Sequence, residues 1–399
     1  MQPVSSMKFL LGSEAILAAL PQQKVREVFS KQAMDFLAEV SQRILRGKAA
    51  RAYSDIMTLA FWCRRGNLEQ LKQQYDRHRF FQGRGIAFHV APSNVPATFF
   101  YSFIPSVLAG NTNIVRLPSK EFPQVEILCQ AMRETLREMP AMAKEMVMVR
   151  YGHEKEINDY LSSLCSLRVI WGGNATIGEL RASPLRPRAT EITFADRYSF
   201  AVIDAEAYLA SPADEKENIT QGFYNDTYLS DQAACVSPRI VIWLGKNTKP
   251  AREAFWSRLR AWVDKRYPLE PVQAVNKLLK MYLLGAHKEA RFIPSADNKI
   301  FRVEVAALEA DLMEYKENSG FFMEYTAEKL ADILPICDNE ACQTLSYYGV
   351  SKEALREFMT MHHPQGVDRI VPLGRTMEFS FVWDGIDLIR AMAREVDLI

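Results

Sequence analysis

Cys235 stands in SDQAACVSPRIVIW, a turn of small residues just ahead of an apolar, β-branched run. A nucleophilic thiol needs partial exposure and a thiolate favoured by backbone N–H groups or cations. A turn built from Ala233, Ala234 and Ser237, with Arg239 close by, supplies both. A single cysteine is more often an inert, buried small hydrophobe, and that reading suits Cys63, Cys129 and Cys165 in their apolar helical stretches. Cys337 and Cys342 flank a loop and stay open between the two readings. The run VIWGGNATIG frames a GxxxxG, Gly173 to Gly178, that follows a strand and opens a helix. Helix N-termini bind anions, although an ordinary strand-to-helix turn has the same composition. No Lys-Ser/Thr follows Gly178, so this is not a P-loop. Asn94, in HVAPSNVPATFF, follows another strand, where α/β sheets place ligands. Its amide can shape a turn or donate to a developing oxyanion.

Other motifs read as structural. Gly83-Arg84-Gly85 lacks a third glycine and is a turn. His89 points inward from a strand as a satisfied core histidine, and His362 and His363 lie on a loop surface; no cysteine or carboxylate partners give either a metal-ligand spacing.

The elements that must position these residues alternate. The first 80 residues read as helical, with Ser30 as an N-cap, apolar Leu37, Val40 and Ile44 in register, and Gly47 as the stop. Strands then fall at 85–91, 113–117, 146–150 and 167–171, separated by a helical TFFYSFIPSVLAG, a periodic helix over 124–139 and a third helix, EINDYLSSL. Strand–helix alternation of short, continuous, largely apolar strands predicts a parallel, doubly wound sheet. Later strands are read at 239–245, 321–325 and 342–350, with a domain boundary near 200–215 at SPADEKEN. Phe99, Phe100, Tyr101 and Phe103 suit either an apolar tunnel or a packed core.

The 399 residues suffice for two or three domains and a large core without disulfides or a structural metal. Lys plus Arg at 49 against Asp plus Glu at 48 argues against a nucleic-acid binder. Apolar runs are too short for a membrane span, and the N-terminal stretch makes a poor signal peptide. The six cysteines form no CxxC pair. A soluble cytoplasmic enzyme is expected.

Taken together, HVAPSNVPATFFYSFIPSVLAGNTNIVRLPSK, RVIWGGNATIG, TEITFADRYSFAVID, SDQAACVSPRIVIWLG, ENSGFFMEYT, CQTLSYYG and GVDRIVPLGRTMEFSFVWDGIDLI closely resemble the acyl-CoA reductase (LuxC) family of the aldehyde dehydrogenase superfamily, over roughly residues 80–390. The resemblance implies that Cys235 is the nucleophile and Asn94 completes the oxyanion hole. It implies coenzyme contacts from Arg116, Ser119 and Lys120 in RLPSK, from Gly173, Asn174 and Gly178, and from Glu328 in AEKLADILPI. Lys120 replaces an acidic residue that elsewhere binds ribose hydroxyls, and a lysine beside Arg116 attracts a 2′-phosphate, so NADPH is expected over NADH. The general-base glutamate of hydrolytic relatives corresponds to Thr193 or, in a rival register, Glu191.

The fold expected is aldehyde-dehydrogenase-like: N-terminal helices and a doubly wound, Rossmann-like NADP(H) domain over 1–205, then a smaller α/β catalytic domain over 206–399, with the active site in the cleft between them. The reaction expected is NADPH-dependent reduction of an activated fatty acyl thioester, acyl-CoA or an acyl carrier, to the aldehyde through a Cys235 acyl-enzyme. The resemblance also implies an acyl-protein synthetase partner and a homo-oligomer. The rivals are an oxidising free-aldehyde dehydrogenase and a cofactor-free acyltransferase or binding subunit.

Overall fold

The computed structural model describes residues 3–75, 79–92, 95–295 and 297–397. It forms two compact units, 1–195 together with 379–399, and 196–378. In the first, short apolar strands build one sheet: β1 (Lys8–Leu11), β2 (Ile86–Val90), β3 (Thr112–Arg116), β4 (Met146–Arg150), β5 (Leu167–Trp171) and β6 (Thr190–Phe194). Their spatial order is β1-β4-β3-β2-β5-β6, with only β1 antiparallel to its neighbour. The chain steps outward from β2 to β3 and β4, then returns to the other side of β2 for β5 and β6.

Alternate residues of these strands feed opposite cores, which is why the strands are largely apolar through their middles. Ala87, Val115, Met148 and Val169 meet the helices Thr98–Leu108 and Pro123–Glu138. Phe88, Ile114, Val147 and Ile170 meet the helices Lys155–Leu164 and Asn174–Arg181. The sheet is therefore doubly wound, and its topological switch point lies between the carboxyl ends of β2 and β5, where such sheets bind ligands.

The N-terminal helix Lys31–Arg46 starts at Ser30, whose Oγ accepts the Ala33 N–H at 3.4 Å, and stops at Gly47. The expectation of a wholly helical first 80 residues is corrected by β1 and by a strand at Phe80–Gly83. Four residues each, they are too short to show a period of two. Phe99, Phe100 and Phe103 are wholly buried and Tyr101 nearly so, all within the core of this unit.

The second unit carries β7 (Tyr198–Asp204), β8 (Pro238–Leu244), β9 (Ala290–Ile293), β10 (Phe301–Val305), β11 (Phe321–Ala327), β12 (Cys342–Tyr348) and β13 (Arg369–Pro372), in the order β9-β10-β11-β8-β7-β12-β13. Only β9 and β10 pair antiparallel. Helices Ala213–Thr227 and Thr248–Arg266 cover one face, Pro271–His287 and Lys352–His362 the other. Within this unit the Glu324 carboxylate is fully buried, and it accepts the Trp243 and Trp256 indole N–H groups at 2.8 Å and the Arg302 Nε–H at 2.6 Å. Pairing on several sides at once is what lets a charge stay buried.

The expected division at 205/206 is displaced in two ways. β7 pairs with β8 and β12, so the second unit begins at 196. The chain then leaves that unit again, and Ala393–Val396 pairs antiparallel with Phe80–Gly83, returning residues 379–399 to the first unit. Among the described residues, no helix is long and apolar enough to cross a membrane.

Candidate functional site

Because β2, β3 and β5 run parallel, the loops that follow them leave from one edge of the first sheet, and of the expected coenzyme residues all but Glu328, which lies in the second unit, follow β3 or β5 there. Arg116 ends β3. Its guanidinium donates to the Gly152 carbonyl and lies over the Tyr151 ring, 4.6 Å from the centroid, which fixes its direction. Ser119 and Lys120 are exposed in the loop beyond, and Lys120 lies over Phe122 at 5.3 Å without an ion pair to any described residue. Gly173 caps the helix Asn174–Arg181 with backbone alone. The Ile177 N–H is the first to find an intrahelical acceptor, the Gly173 carbonyl at 3.1 Å, so the preceding amides have none within the helix. Asn174, Ala175 and Thr176 are exposed. A Cβ added at Gly178 would meet no described atom within 4 Å. Glycine costs a helix about 1 kcal/mol relative to alanine, and nothing inside this unit requires it there. Asn94 lies outside the described residues.

In the second unit Cys235 sits in the loop that leads into β8, at the amino end of the strand. Of the six cysteines it alone is partly exposed. Burial pushes the Cys129 thiol up to about 12 and Cys165 up to about 11, and it also raises Cys63. Cys337 is driven well above the ordinary thiol range by its hydrogen bond with Cys342 and by burial. Two cations feel the Cys235 sulfur. Arg239 is buried, which lowers its pKa to about 10, while Glu317, Cys235 and Asp231 push it back up. Its guanidinium is aimed by the Glu317 carbonyl at 2.7 Å and the Asn318 Oδ1 at 2.6 Å. Lys316 is lowered by burial and by Arg239, with Asp196 and Cys235 opposing. That opposition is mutual, so a thiolate at Cys235 and these two cations stabilise one another.

The loop itself is held by residues that the sequence did not flag. Asp231 and Gln232 take φ values of +52° and +57°, a left-handed pair without glycine. The Gln232 amide is buried and bonded to capacity. Its Nε2 donates to the carbonyls of Pro238 and Phe321 at 3.0 and 3.1 Å, and its Oε1 accepts the Gly320 and Phe321 N–H groups at 3.0 and 3.2 Å. The Asp231 carboxylate accepts from the Tyr267 hydroxyl, from Gln273 Nε2 at 2.9 Å and from the Ser319 hydroxyl at 3.2 Å. The Ser199 hydroxyl donates to the Cys235 carbonyl at 2.7 Å.

Glu191 and Thr193 share one face of β6, while Ile192 and Phe194 enter the core. The Glu191 carboxylate is spoken for: Oε2 takes the Arg168 guanidinium at 2.5 Å and Oε1 takes Arg181 Nε at 2.8 Å. Glu328 is exposed just past the carboxyl end of β11, and its N–H donates to the Asp332 carboxylate at 3.0 Å. His89 is wholly buried between Ser102 Oγ at 2.7 Å and Asn113 Oδ1 at 3.1 Å, and burial lowers its pKa to about 4. It is a satisfied core histidine, as its place on the strand predicts.

A family model for acyl-CoA reductase (LuxC) matches residues 52–395. Among solved structures the chain is similar to an NADP dependent enzyme from E. coli, at 15% identity and a TM-score of 0.64, covering 92% of this chain and 82% of that one. It is similar to an aldehyde dehydrogenase from Brucella melitensis biovar abortus, at 14% identity and 0.67, covering 96% and 88%. An indole-3-acetaldehyde dehydrogenase complexed with NAD+ matches at 9% identity and 0.67, covering 96% and 86%. At such identities what is shared is the aldehyde dehydrogenase fold. A search of curated proteins gave no significant sequence match.

Replacing Gln232 by alanine strands four buried backbone groups at the starts of β8 and β11. Urea unfolding should show a loss of about 2–4 kcal/mol, whereas Ala233→Ser, at the exposed next position, should stay within about 0.5 kcal/mol of wild type.

Proposed function

From the premise that the chain belongs to the acyl-CoA reductase (LuxC) family and is an oxidoreductase of aldehyde dehydrogenase fold, we propose that it reduces a fatty acyl thioester to the aldehyde through a Cys235 acyl-enzyme, with NADPH as the reductant. The observation that carries this reading is that Cys235 is the one cysteine that is both partly exposed and faced by cations. The acyl group arrives as acyl-CoA or on a carrier, and its delivery by an acyl-protein synthetase belongs to the same proposal.

The Cys235 thiolate attacks the thioester carbonyl carbon. The C–S bond to the donor breaks, its sulfur leaves as a thiol once protonated, and the acyl group stays on Cys235. Splitting the reaction at a covalent intermediate replaces one difficult step by two easier ones. Asn94 is assigned the amide that holds the carbonyl oxygen as charge develops on it. When bound, the coenzyme supplies the hydride that turns the acyl-enzyme into aldehyde.

The coenzyme edge of the first unit fits a dinucleotide. Exposed first-turn amides after Gly173 suit a pyrophosphate, the space at Gly178 admits a close approach, and Lys120, joined by Arg116, suits a 2′-phosphate. The similar E. coli enzyme is NADP dependent, and the indole-3-acetaldehyde dehydrogenase is complexed with NAD+, both in keeping with a nicotinamide coenzyme. Glu328 is assigned a further contact to it. Thr193 is assigned the position that a general base takes in hydrolytic relatives. The two arginines on Glu191 disfavour its service as that base, and with it the oxidising free-aldehyde dehydrogenase reading.

Incubated with radiolabelled acyl-CoA, wild type should retain label and Cys235→Ala should not, while NADPH quenching of Trp fluorescence persists in both. Label that maps to Cys337 or Cys342 would overturn the assignment. Acyl-enzyme formed without NADPH should decay slowly in buffer. Thr193→Glu should speed that hydrolysis by up to about 10²-fold, and Glu191→Gln should leave it slow.

Lys120→Glu should weaken NADPH roughly ten- to hundredfold by loss of a charge-assisted contact and leave NADH unchanged or improved. Equal losses would mean that Lys120 has a structural role only.

Gly178→Ala should hold or raise the melting temperature, because alanine favours a helix by about 1 kcal/mol. It should nonetheless weaken NADPH in fluorescence titration. Undiminished coenzyme binding would remove Gly178 from the site.

A further inference from the structure

The second unit buries a lysine that the chemistry above does not use. Lys277 and Leu284 are the two buried residues of the helix Pro271–His287, and Lys277 is wholly inaccessible. Taking an ammonium out of water is costly unless it is paired, and a methionine would fill the same space without that cost. What the ammonium holds must therefore account for it. Its Nζ donates to two main-chain carbonyls, that of Asn298 and, at 2.6 Å, that of Ser319. Burial lowers its pKa to about 8 while Asp231, Asp297 and Glu317 push it back up, so at neutral pH it is a donor with no accepting lone pair.

Ser319 belongs to a strap, residues 316–320, that leads into β11 and meets the Cys235 loop step by step. Lys316 and the Cys235 sulfur act on each other by charge. The Glu317 carbonyl and Asn318 Oδ1 aim Arg239. The Ser319 N–H donates to the Asp231 carbonyl at 3.3 Å, and its hydroxyl to the Asp231 carboxylate at 3.2 Å. The Gly320 N–H donates to Gln232 Oε1 at 3.0 Å. Ser319 and Gly320 take φ values of +63° and +83°, and a serine stays in that region only where its surroundings hold it. Its N–H and hydroxyl go to Asp231, and its carbonyl goes to Lys277. One turn earlier on the same helix, Gln273 Nε2 donates to Asp231 at 2.9 Å. Helix, loop and strap thus close a ring: Gln273 to Asp231, Asp231 to Ser319, Ser319 to Lys277.

We propose that Lys277 is a positioning residue for the Cys235 nucleophile: by holding the Ser319 carbonyl it fixes the strap that presents Lys316 and Arg239 to the sulfur. The inference rests on the reading of Cys235 as the acyl-accepting thiol. Lys277 acts at one remove, since the charges felt by its ammonium are Asp231, Asp297 and Glu317, whereas Cys235 is felt by Arg239 and Lys316. Attraction between a thiolate and a cation falls as their separation grows. A strap free to drift therefore leaves the thiolate less favoured, and less of it is present to attack. Without Lys277 the Ser319 carbonyl loses its buried partner, and the left-handed turn loses one of the contacts that keep it.

The test is the pH profile of iodoacetamide alkylation in the full chain, read at Cys235 by peptide mass analysis; the other five cysteines are buried. Lys277→Met should move the midpoint upward and slow alkylation at neutral pH roughly tenfold, the equivalent of one pKa unit. Transfer of a radiolabelled acyl group from acyl-CoA to Cys235 in a single turnover should slow with it. Circular dichroism and NADPH quenching of Trp fluorescence should stay as in wild type. In a Lys316→Met background the same substitution should cost less, because one of the two cations it aligns is already gone. Ser319→Gly keeps the left-handed turn without strain and removes the hydroxyl bond to Asp231, so it tests the strap even where Lys277→Met does not fold. It should raise the midpoint too. A folded Lys277→Met with an unmoved midpoint overturns the proposal, as does an undiminished cost in Lys316→Met or a wild-type profile in Ser319→Gly. Acyl label retained by Cys235→Ala would instead overturn the nucleophile reading, whatever Lys277→Met does to alkylation.

Discussion

One primary amide ties the loop that carries Cys235 to the sheet beneath it. Gln232 bridges the amino ends of β8 and β11 with all four of its hydrogen-bonding positions, and it does so from a left-handed conformation that a glutamine adopts only under compulsion. Asp231, left-handed as well, is held from the other side by Tyr267, Gln273 and Ser319. Three residues past Gln232 comes Cys235, so the freedom of its sulfur is limited by two side chains whose hydrogen bonds go to the scaffold. Arg239 and Lys316 approach from β8 and from the segment before β11, the same two strands that Gln232 joins. The cations and the thiol therefore share one frame.

That frame sits at the opposite kind of sheet edge from the residues proposed to hold the coenzyme. Arg116, Lys120 and Gly173 follow the carboxyl ends of parallel strands, where the general rule for open α/β sheets puts ligands. Cys235 precedes an amino end. The rule covers one half of the proposed chemistry and is silent on the other, for which the composition of a small-residue turn is the sequence signal.

Much of this was legible from the sequence for identifiable reasons. β4 and β5 run over Met146–Arg150 and Leu167–Trp171, as their largely apolar runs predict, because burial on both faces selects apolar residues through the middle of each strand. His89 reads as a satisfied core histidine and is one, held by Ser102 and Asn113. The division of the chain reads less well. The polar SPADEKEN attracts a boundary, yet it lies in and beside the solvent-facing start of the helix Ala213–Thr227, well inside the second unit. The return of residues 379–399 leaves no local trace, since a four-residue edge strand has too little pattern to announce its partner. Gln232 and Lys316 escape for a related reason: their meaning lies in contacts made across more than 80 positions, and neither residue type signals chemistry on its own. The buried Glu324, among two tryptophans and Arg302, is likewise invisible until the strands are laid side by side.

The return of the tail sets an order of assembly on the ribosome. The first unit begins synthesis first, but the partner of its strand Phe80–Gly83 is Ala393–Val396, and its Arg84 and Asn111 side chains await the carbonyls of Ala391 and Met392. Everything the second unit needs lies between 196 and 378 and emerges earlier. Domains fold as units as the chain is made, so the inserted unit can close during translation while its host stays open. Residues 379–397 emerge after the second unit is complete and finish the first, so a ribosome that stops between the two releases a chain whose second unit is whole and whose strand Phe80–Gly83 lacks its partner.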